Sequence, residues 1–306
     1  MDRLDAMALF VAVVDEGSLA RGGRRLGKSP AAVSRALGFL EARLGAPLLV
    51  RTTRSLRLTE RGEAYLGTCR AVLEQIEEAE LGAAGDRAAP RGLLTVTAPR
   101  MFGRLKVRPQ VDAFLDRHAA VQVRLLLLDR VVNVIDEGID LAVRIGHLPD
   151  SSLVALKVGE VSRIVCASPA YLARVRPPRE PADLAALACI AFTQITPSEV
   201  WSFGPGSADG RAERLRQVRV QPRLTVNSAD AALASALEGK GLTCVLSYQA
   251  EAMLADGRLQ RVLTDWEPAP LPVHVVFTRT RLATAKTRGL VDFLVPALRA
   301  ELGYRA

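Results

Sequence analysis

"SPAAVSRALGFLEARLG", residues 29–45, reads as a helix from its first two residues. Ser29 can cap the free N–H groups of a first turn, and Pro30 suits the first helical position, where its missing N–H costs nothing. Val33, Ala36, Leu37, Leu40 and Leu44 recur at helical spacing and form one apolar face. The opposite stripe, Ala31, Ser34, Arg35 and Gly38, is short in side chain and carries one long cation. An ordinary solvated face carries Lys and Glu freely. A stripe this lean suits a helix that presses closely on another surface, and a DNA major groove is one such surface.

The flanking residues support that surface. Asp2 can cap a helix whose Leu4, Met7, Ala8, Val11 and Val14 share one face, Gly17 ends it, and Ser18 caps a shorter helix, "SLARGGRRL". "GKS" (27–29) is a tight turn, so the second and third helices make a helix-turn-helix. After them, "PLLVRTTRSLRLT" (47–59) alternates apolar and basic residues around "TTRS". That pattern predicts a β-hairpin wing with Arg51, Arg54 and Arg57 on or beside it, suited to phosphate or minor-groove contact; Arg57 can equally face the protein. Residues 1–62 hold eleven cations and six anions, so +5 of the chain's net +8 lies in its first fifth. Such a concentration fits a polyanionic partner.

Composition excludes other classes. A chain of 306 residues with 49% hydrophobic and 24% charged side chains has room for two or three domains with proper cores. The longest apolar run, "VRLLLLDRVV" (123–132), is interrupted by Arg124, Asp129 and Arg130, so no membrane association is expected. The acidic, amphipathic N-terminus does not read as a signal peptide, and Cys69, Cys166, Cys189 and Cys244 form no C-x-x-C pair. A cytoplasmic location with reduced thiols is the expectation. His118, His147 and His274 lack metal-ligand spacing, and no nucleophile-elbow or phosphate-loop motif is present. No catalytic residue, cofactor or metal is therefore assigned.

From Thr59 a long helix is expected to run to about Ala84. Tyr65, Cys69, Val72, Ile76 and Ala79 step by 4, 3, 4 and 3 residues, the seam of a helix pair, unless that face packs on its own domain. "GAAGDRAAPRG" (82–92) then reads as a hinge. Beyond it, "LLTVTA", a helix over 101–116, "VQVRLLLLD", a helix over 131–137 and "IDLAVRIG" carry the rhythm of a parallel α/β sheet. A second set starts at "KVGEVSRIVCASP" (157–169) and includes "CIAF", "WSFG", "RLTVN", a helix over 228–238 and "LTCVLS". "LPVHVVFTR" (271–279) and a last helix over 284–301 return to the first set. Two lobes joined by two crossing segments form a cleft, where small ligands commonly bind. The expected fold is a multidomain α+β chain. It comprises a winged helix-turn-helix (1–62), a linker helix and hinge (59–91), and a two-lobed α/β domain (92–306). The first lobe takes about 92–161 and 268–306, and the second about 162–267.

The sequence resembles the LysR-type transcriptional regulators. The motifs that carry the resemblance are the S-x-x-x-A/G-x-x-x-L second helix, S-P-x-x-V-S-R at 29–35, L-E-x-x-L-G at 40–45, R-T-T-R at 51–54 and the L-T-x-x-G that follows. Gly22 and Gly23 depart from it, standing where the family usually has alanines. Glycine costs a helix interior roughly 0.5–1 kcal/mol relative to alanine, so a softer second helix is expected.

The resemblance implies a sequence-specific DNA-binding regulator of transcription. Pro30, Ala31, Ser34 and Arg35 would meet base edges or the adjacent backbone of double-stranded DNA, with Arg51 and Arg54 on the wing and Arg54 in the minor groove. Tyr65, Cys69, Val72, Ile76 and Ala79 would pair two linker helices in a homodimer or homotetramer, and RNA polymerase would be a further partner. The two-lobed domain would resemble periplasmic solute-binding proteins and hold a small-molecule effector. Carried over position by position, the effector site is Pro99, Arg100, Met101, Phe102, Gly146, His147, Thr193, Thr196, Asn227 and Ser247. Arg100 and the helix start after Pro99 point to an organic anion. Some relatives use a peroxide-sensing cysteine pair, but Cys189 and Cys244 sit in apolar strands and read as buried thiols. The rival reading is a cytosolic small-molecule-binding α/β protein whose N-terminal domain does not regulate transcription.

Overall fold

The computed structural model describes residues 2–51, 56–83, 89–130, 132–135, 137–149, 152–193, 199–204 and 215–304. Three capped helices open the chain. Asp2, Ser18 and Ser29 each accept a backbone N–H at the start of α1 (Arg3–Asp15), α2 (Leu19–Arg25) and α3 (Pro30–Leu44). Gly45 takes a φ of 64° and ends α3. Val33, Ala36, Leu37 and Leu40 are fully buried against Met7, Phe10 and Val13 of α1, as their spacing predicts. Leu44 is the exception: it lies in the last turn, beyond the reach of α1, and is 39% exposed.

The short wing follows as β1 (Leu49–Arg51) and β2 (Leu56–Leu58), antiparallel, with Leu49 opposite Leu58. Glu41 of α3 fixes its root, because one carboxylate oxygen accepts the Leu48 N–H at 2.9 Å and the Leu49 N–H at 3.4 Å. Arg54 and the Arg51 side chain lie outside the described residues.

The two glycines of α2 have a steric cause. A Cβ on Gly22 would stand 2.6 Å from the Val13 Cα, and one on Gly23 would stand 2.8 Å from both the Lys28 carbonyl oxygen and Val33 Cγ2. Their missing side chains let α2 lie directly on the backbones of α1 and of the turn. The expected softening is thus offset by packing that alanine would block.

Helix α4 (Glu60–Ala83) begins where Thr59 Oγ1 accepts the Gly62 N–H at 2.9 Å. Its first half belongs to the N-terminal core of the same chain. Cys69 is fully buried there, Tyr65 stacks near Phe10 with ring centroids 6.2 Å apart, and Val72 packs on the same cluster. Arg70 pairs with Asp15 of α1. This corrects the seam: Cys69 has no surface left for a second helix, and Tyr65 and Val72 give it part of theirs. Ile76, one turn further on, stands apart from that cluster and is half-buried, while the Ala79 side chain lies outside the described residues.

The first lobe runs through β3 (Gly92–Ala98), α5 (Arg100–Phe102), α6 (Arg108–Leu115), β4 (Val121–Leu127), β5 (Leu141–Ile145) and β6 (Val154–Val161). A π-helical turn, Gly103–Val107, joins α5 to α6 where one continuous helix was expected. Pro109 explains the break, since it has no N–H to give the Leu105 carbonyl. Residues 131–137 form turns rather than a helix among the described residues, closed by Gly138 at φ 63°.

One residue, Ser162, separates β6 from β7 (Arg163–Ala167) and the second lobe. That lobe continues with α7 (Pro169–Leu172), β8 (Cys189–Phe192), β9 (Val200–Phe203), β10 (Arg216–Arg219), β11 (Pro222–Val226), α8 (Ala229–Leu237), β12 (Leu242–Leu246), α9 (Ser247–Ala255) and β13 (Gln260–Val262). The chain then returns through β14 (Leu271–Phe277), α10 (Arg279–Leu282) and α11 (Ala285–Glu301).

Both sheets are mixed, where parallel ones were expected. Their strand orders are β4-β3-β5-β14-β6 and β11-β8-β12-β7-β13. In each, four strands run one way and a single one runs against them, because β14 and β7 arrive by the crossing segments and must run back along the sheet. "WSFG" stands outside the main sheet: among the described residues β9 pairs with β10 alone, as a separate ribbon. The lobes share one apolar core that runs from Leu94, Val96 and Phe102 to Ile164, Leu233 and Val245.

Candidate functional site

Two surfaces carry the expected chemistry. On α3 the buried Val33, Ala36 and Leu37 face α1, which leaves Pro30, Ala31, Ser34, Arg35 and Gly38 exposed together. Arg35 has no ion-pair partner among the described residues. Glu41, a possible partner, is committed to the wing backbone. Other cations nearby are partly engaged, since Arg21 donates to the Glu16 carbonyl at 2.6 Å and Arg25 approaches Asp15 at 3.7 Å. The stripe is therefore free to meet a groove, with one guanidinium able to donate to a base edge.

The second surface is a cavity of about 350 Å³ between the lobes. Pro99, Leu128, Asp129, Arg130, Arg144, Ile145, Gly146 and Leu271 form its first-lobe wall. Arg163, Phe192, Leu246, Tyr248 and Gln249 form the other. Strand ends build it: β3, β4 and β5 stop at this edge, as do β8 and β12 from the opposite side.

Of the effector residues carried over from the family pattern, Pro99 and Gly146 lie in this wall. Arg100 does not. Its side chain is 64% exposed, and its backbone N–H already donates to Asp129 Oδ1 at 2.8 Å. A carboxylate of the chain itself thus occupies the helix start where an effector anion was expected. Met101 and Phe102 point into the core, 7% and 0% exposed, because the helix must seal β3 on that face. Ser247 is tied to the crossing segment, its Oγ accepting the Ser162 N–H at 3.1 Å. His147, Thr193 and Asn227 are exposed and outside the wall, and Thr196 lies outside the described residues.

Sequence reasoning missed Arg130, Arg144, Tyr248 and Gln249. Arg144 left a signal, a lone cation inside the apolar strand "LAVRI". Burial holds its guanidinium below the usual arginine range, and its enclosed Nη2 has no hydrogen-bond partner among the described residues. Arg130 grips Glu137 with two bonds, of 2.9 and 2.7 Å, which hold that carboxyl below its usual range. Tyr248 accepts from Gln249 Nε2 at 3.3 Å, and burial raises its phenol well above the ordinary value. Beside Arg144 in the sheet register is His274, which burial and the cation of Lys157 keep below the usual histidine range.

Three contacts hold the lobes together next to this wall. The rings of Phe102 and Tyr248 meet edge to face. Arg104 pairs with Asp230 at 2.6 Å, and Lys106 with Glu251 at 2.8 Å. Burial works against the Lys106 charge, but bonds to Glu251 and Glu301 outweigh it and raise its pKa. All three first-lobe residues sit on or beside the π-helical turn, a distortion frequent at functional sites.

The two halves of the chain match two family models: "Bacterial regulatory helix-turn-helix protein, lysR family" over residues 4–63 and "LysR substrate binding domain" over residues 87–299. An HTH-type transcriptional regulator of Xanthomonas campestris pv. campestris is 33% identical over 305 residues, covering 98% of this chain and 87% of its own length. An HTH-type transcriptional repressor of Pseudomonas aeruginosa is 33% identical over 298 residues, covering 96% and 92%. Among solved structures, CrgA from Neisseria meningitidis, titled a LysR-type transcriptional regulator, superimposes with a TM-score of 0.61 at 29% identity, covering 96% of this chain and 98% of that one.

Proposed function

The chain belongs to the LysR family of transcriptional regulators, and from that premise we propose that it binds double-stranded DNA through α3 and the wing under control of a small organic anion held between its lobes. The observation that carries the reading is the division of α3. One face buries Val33, Ala36, Leu37 and Leu40 completely, and the other presents Pro30, Ala31, Ser34 and Arg35, which has no ion-pair partner among the described residues. Arg51 and Arg54 would extend the contact along the backbone from the wing. The working division is the one read from the sequence: 1–62 for DNA, 59–91 for linkage, and 92–306 for the effector.

The protein acts in the cytoplasm as a homodimer or homotetramer, joined through the distal half of α4 around Ile76, and it regulates transcription by contact with RNA polymerase. The cleft is the effector site, since strand ends from two lobes converge there on a mostly apolar cavity with a few polar groups. No catalytic role is assigned to it. An effector controls DNA binding only if it favours one lobe arrangement over another.

Retention of genomic duplex fragments by the full chain, followed over a salt series, tests the reading. A preferred site that competes out bulk DNA supports it. Binding without sequence preference, or none at low salt, refutes it.

A further inference from the structure

We infer that Arg144 reads the charge of the ligand in the cleft, and that this ligand is a small monocarboxylate with an apolar body. The inference rests on the cleft being the effector site and adds the ligand's chemistry and the residue that selects it. The other charges in the wall are already committed. Arg130 is matched by Glu137 in two bonds of 2.9 and 2.7 Å. Asp129 accepts the Arg100 N–H at 2.8 Å, and Arg163 has an interaction of its own. No carboxylate among the described residues lies within ion-pair distance of Arg144, although its side chain lines the cavity and its Nη2 is enclosed without a partner.

The Glu137 carboxylate acts on Arg144 from a distance but is bonded to Arg130, so two neighbouring guanidiniums share one counter-charge. A guanidinium partly withdrawn from water and matched in this incomplete way is unfavourable in the folded chain. A carboxylate entering the cavity supplies that charge through parallel N–H···O bonds, with a small turn of the side chain. A neutral isostere leaves the guanidinium as it was. The incompletely matched group thereby makes the site selective for charge.

The remaining wall sets the body of the ligand. Leu128, Ile145, Phe192, Leu246 and Leu271 are apolar. Tyr248 accepts from Gln249, which leaves its own O–H to donate a hydrogen bond to a carboxylate oxygen. One incompletely matched guanidinium, Arg144, and one hydroxyl suit a single carboxylate, whereas a second would meet Asp129 or the apolar wall. A volume of about 350 Å³ lies at the small end of ligand sites, which favours a compact body.

The test uses the full-length chain, titrated calorimetrically to millimolar concentration with benzoate, phenylacetate and isovalerate, their three amides, and succinate. At least one monocarboxylate should bind, about tenfold or more tightly than its amide. Arg144→Met should bring the acid down to the level of the amide, with Arg144→Lys between them. Retained DNA binding and an unchanged melting temperature show that the variants are folded. Equal affinity for acid and amide overturns the inference, as does tighter binding of succinate, unchanged affinity in Arg144→Met, or no binding by any of the three acids. Leu128→Trp, which fills the cavity, separates the two levels of the argument. Acid binding that survives it places the ligand outside the cleft. Acid binding that it abolishes, but Arg144→Met leaves intact, removes only the role of Arg144.

Discussion

The ring of Phe102 in the first lobe meets the ring of Tyr248 in the second edge to face, with centroids 5.1 Å apart and planes at 84°. Phe102 is fully buried, and Tyr248 also lines the cleft, so one aromatic contact is shared by the lobe junction and the candidate site. Edge-to-face pairs contribute roughly 0.5–1.5 kcal/mol beyond area burial. A double-mutant cycle of Phe102→Leu and Tyr248→Leu, read by urea denaturation, should return a coupling of about that size. Additive losses would mean that the rings stabilise each lobe separately.

Arg35 should carry sequence discrimination. Arg35→Ala is expected to cost roughly 1–3 kcal/mol on the preferred site and to flatten preference at one base pair. Fluorescence anisotropy on a set of single-base variants measures both. A uniform loss on all duplexes would make Arg35 a phosphate contact instead.

Gly22→Ala pits two effects against each other. Helix propensity favours alanine by roughly 0.5–1 kcal/mol, whereas overpacking a tight contact costs about 1–3 kcal/mol. With the added Cβ only 2.6 Å from a backbone atom of Val13, the steric cost should win, and the N-terminal domain should melt at lower temperature. A rise in the melting temperature would exclude so close an approach of α2 to α1.

The buried thiols should make stability fall in alkali. Burial pushes Cys166, Cys189 and Cys244 up to about 12, above the ordinary thiol value. A folded-state pKa raised in this way means that the native chain holds protons the unfolded chain has released. Their contribution is complete below the unfolded-state pKa and is lost as pH climbs through the folded one, from about 9 to about 12. Each thiol adds up to about 1.4 kcal/mol of lost stability per pH unit inside that window. Denaturation curves across it should lose one thiol's share of the slope in Cys166→Ala. An unaltered slope would place the titration elsewhere.

Ile76 and Cys69 should separate assembly from folding. Ile76→Asp is expected to lower the oligomeric state in sedimentation, because a carboxylate would be buried in the helix pair without a partner. Cys69→Ala should lower the stability of the N-terminal domain and leave the oligomer intact, as its side chain is enclosed within one chain. A reversal of these two results would restore the longer seam.

Much of the N-terminal half was legible because its determinants are local. Caps at Asp2, Ser18, Ser29 and Thr59 and the apolar spacing of α1 and α3 act within a few residues. The lean stripe of α3 followed from the same spacing. Where the reading failed there, a distant neighbour was responsible: Phe10 and Asp15 draw the first turns of α4 onto their own domain, and Val13 makes glycine the fitting residue at 22.

The cleft could be placed in sequence but not furnished. Periodicity predicted two lobes and strand-end loops at their junction, since alternating patterns reveal which segments are strands. It could not say that the Asp129 carboxylate reaches the Arg100 N–H, which takes a guanidinium and a helix start out of the site. Nor could it say that Arg144, one residue in an apolar strand, lines the cavity and shares the one Glu137 carboxylate with Arg130. Those facts depend on which residues, 29 to 126 positions apart in the cases of Asp129 and Arg100 and of Arg104 and Asp230, the fold sets within hydrogen-bonding distance. Local periodicity fixes elements because its interactions span one turn or one pleat. Charge balance in a cavity is decided only when distant strand ends meet and water is excluded between them.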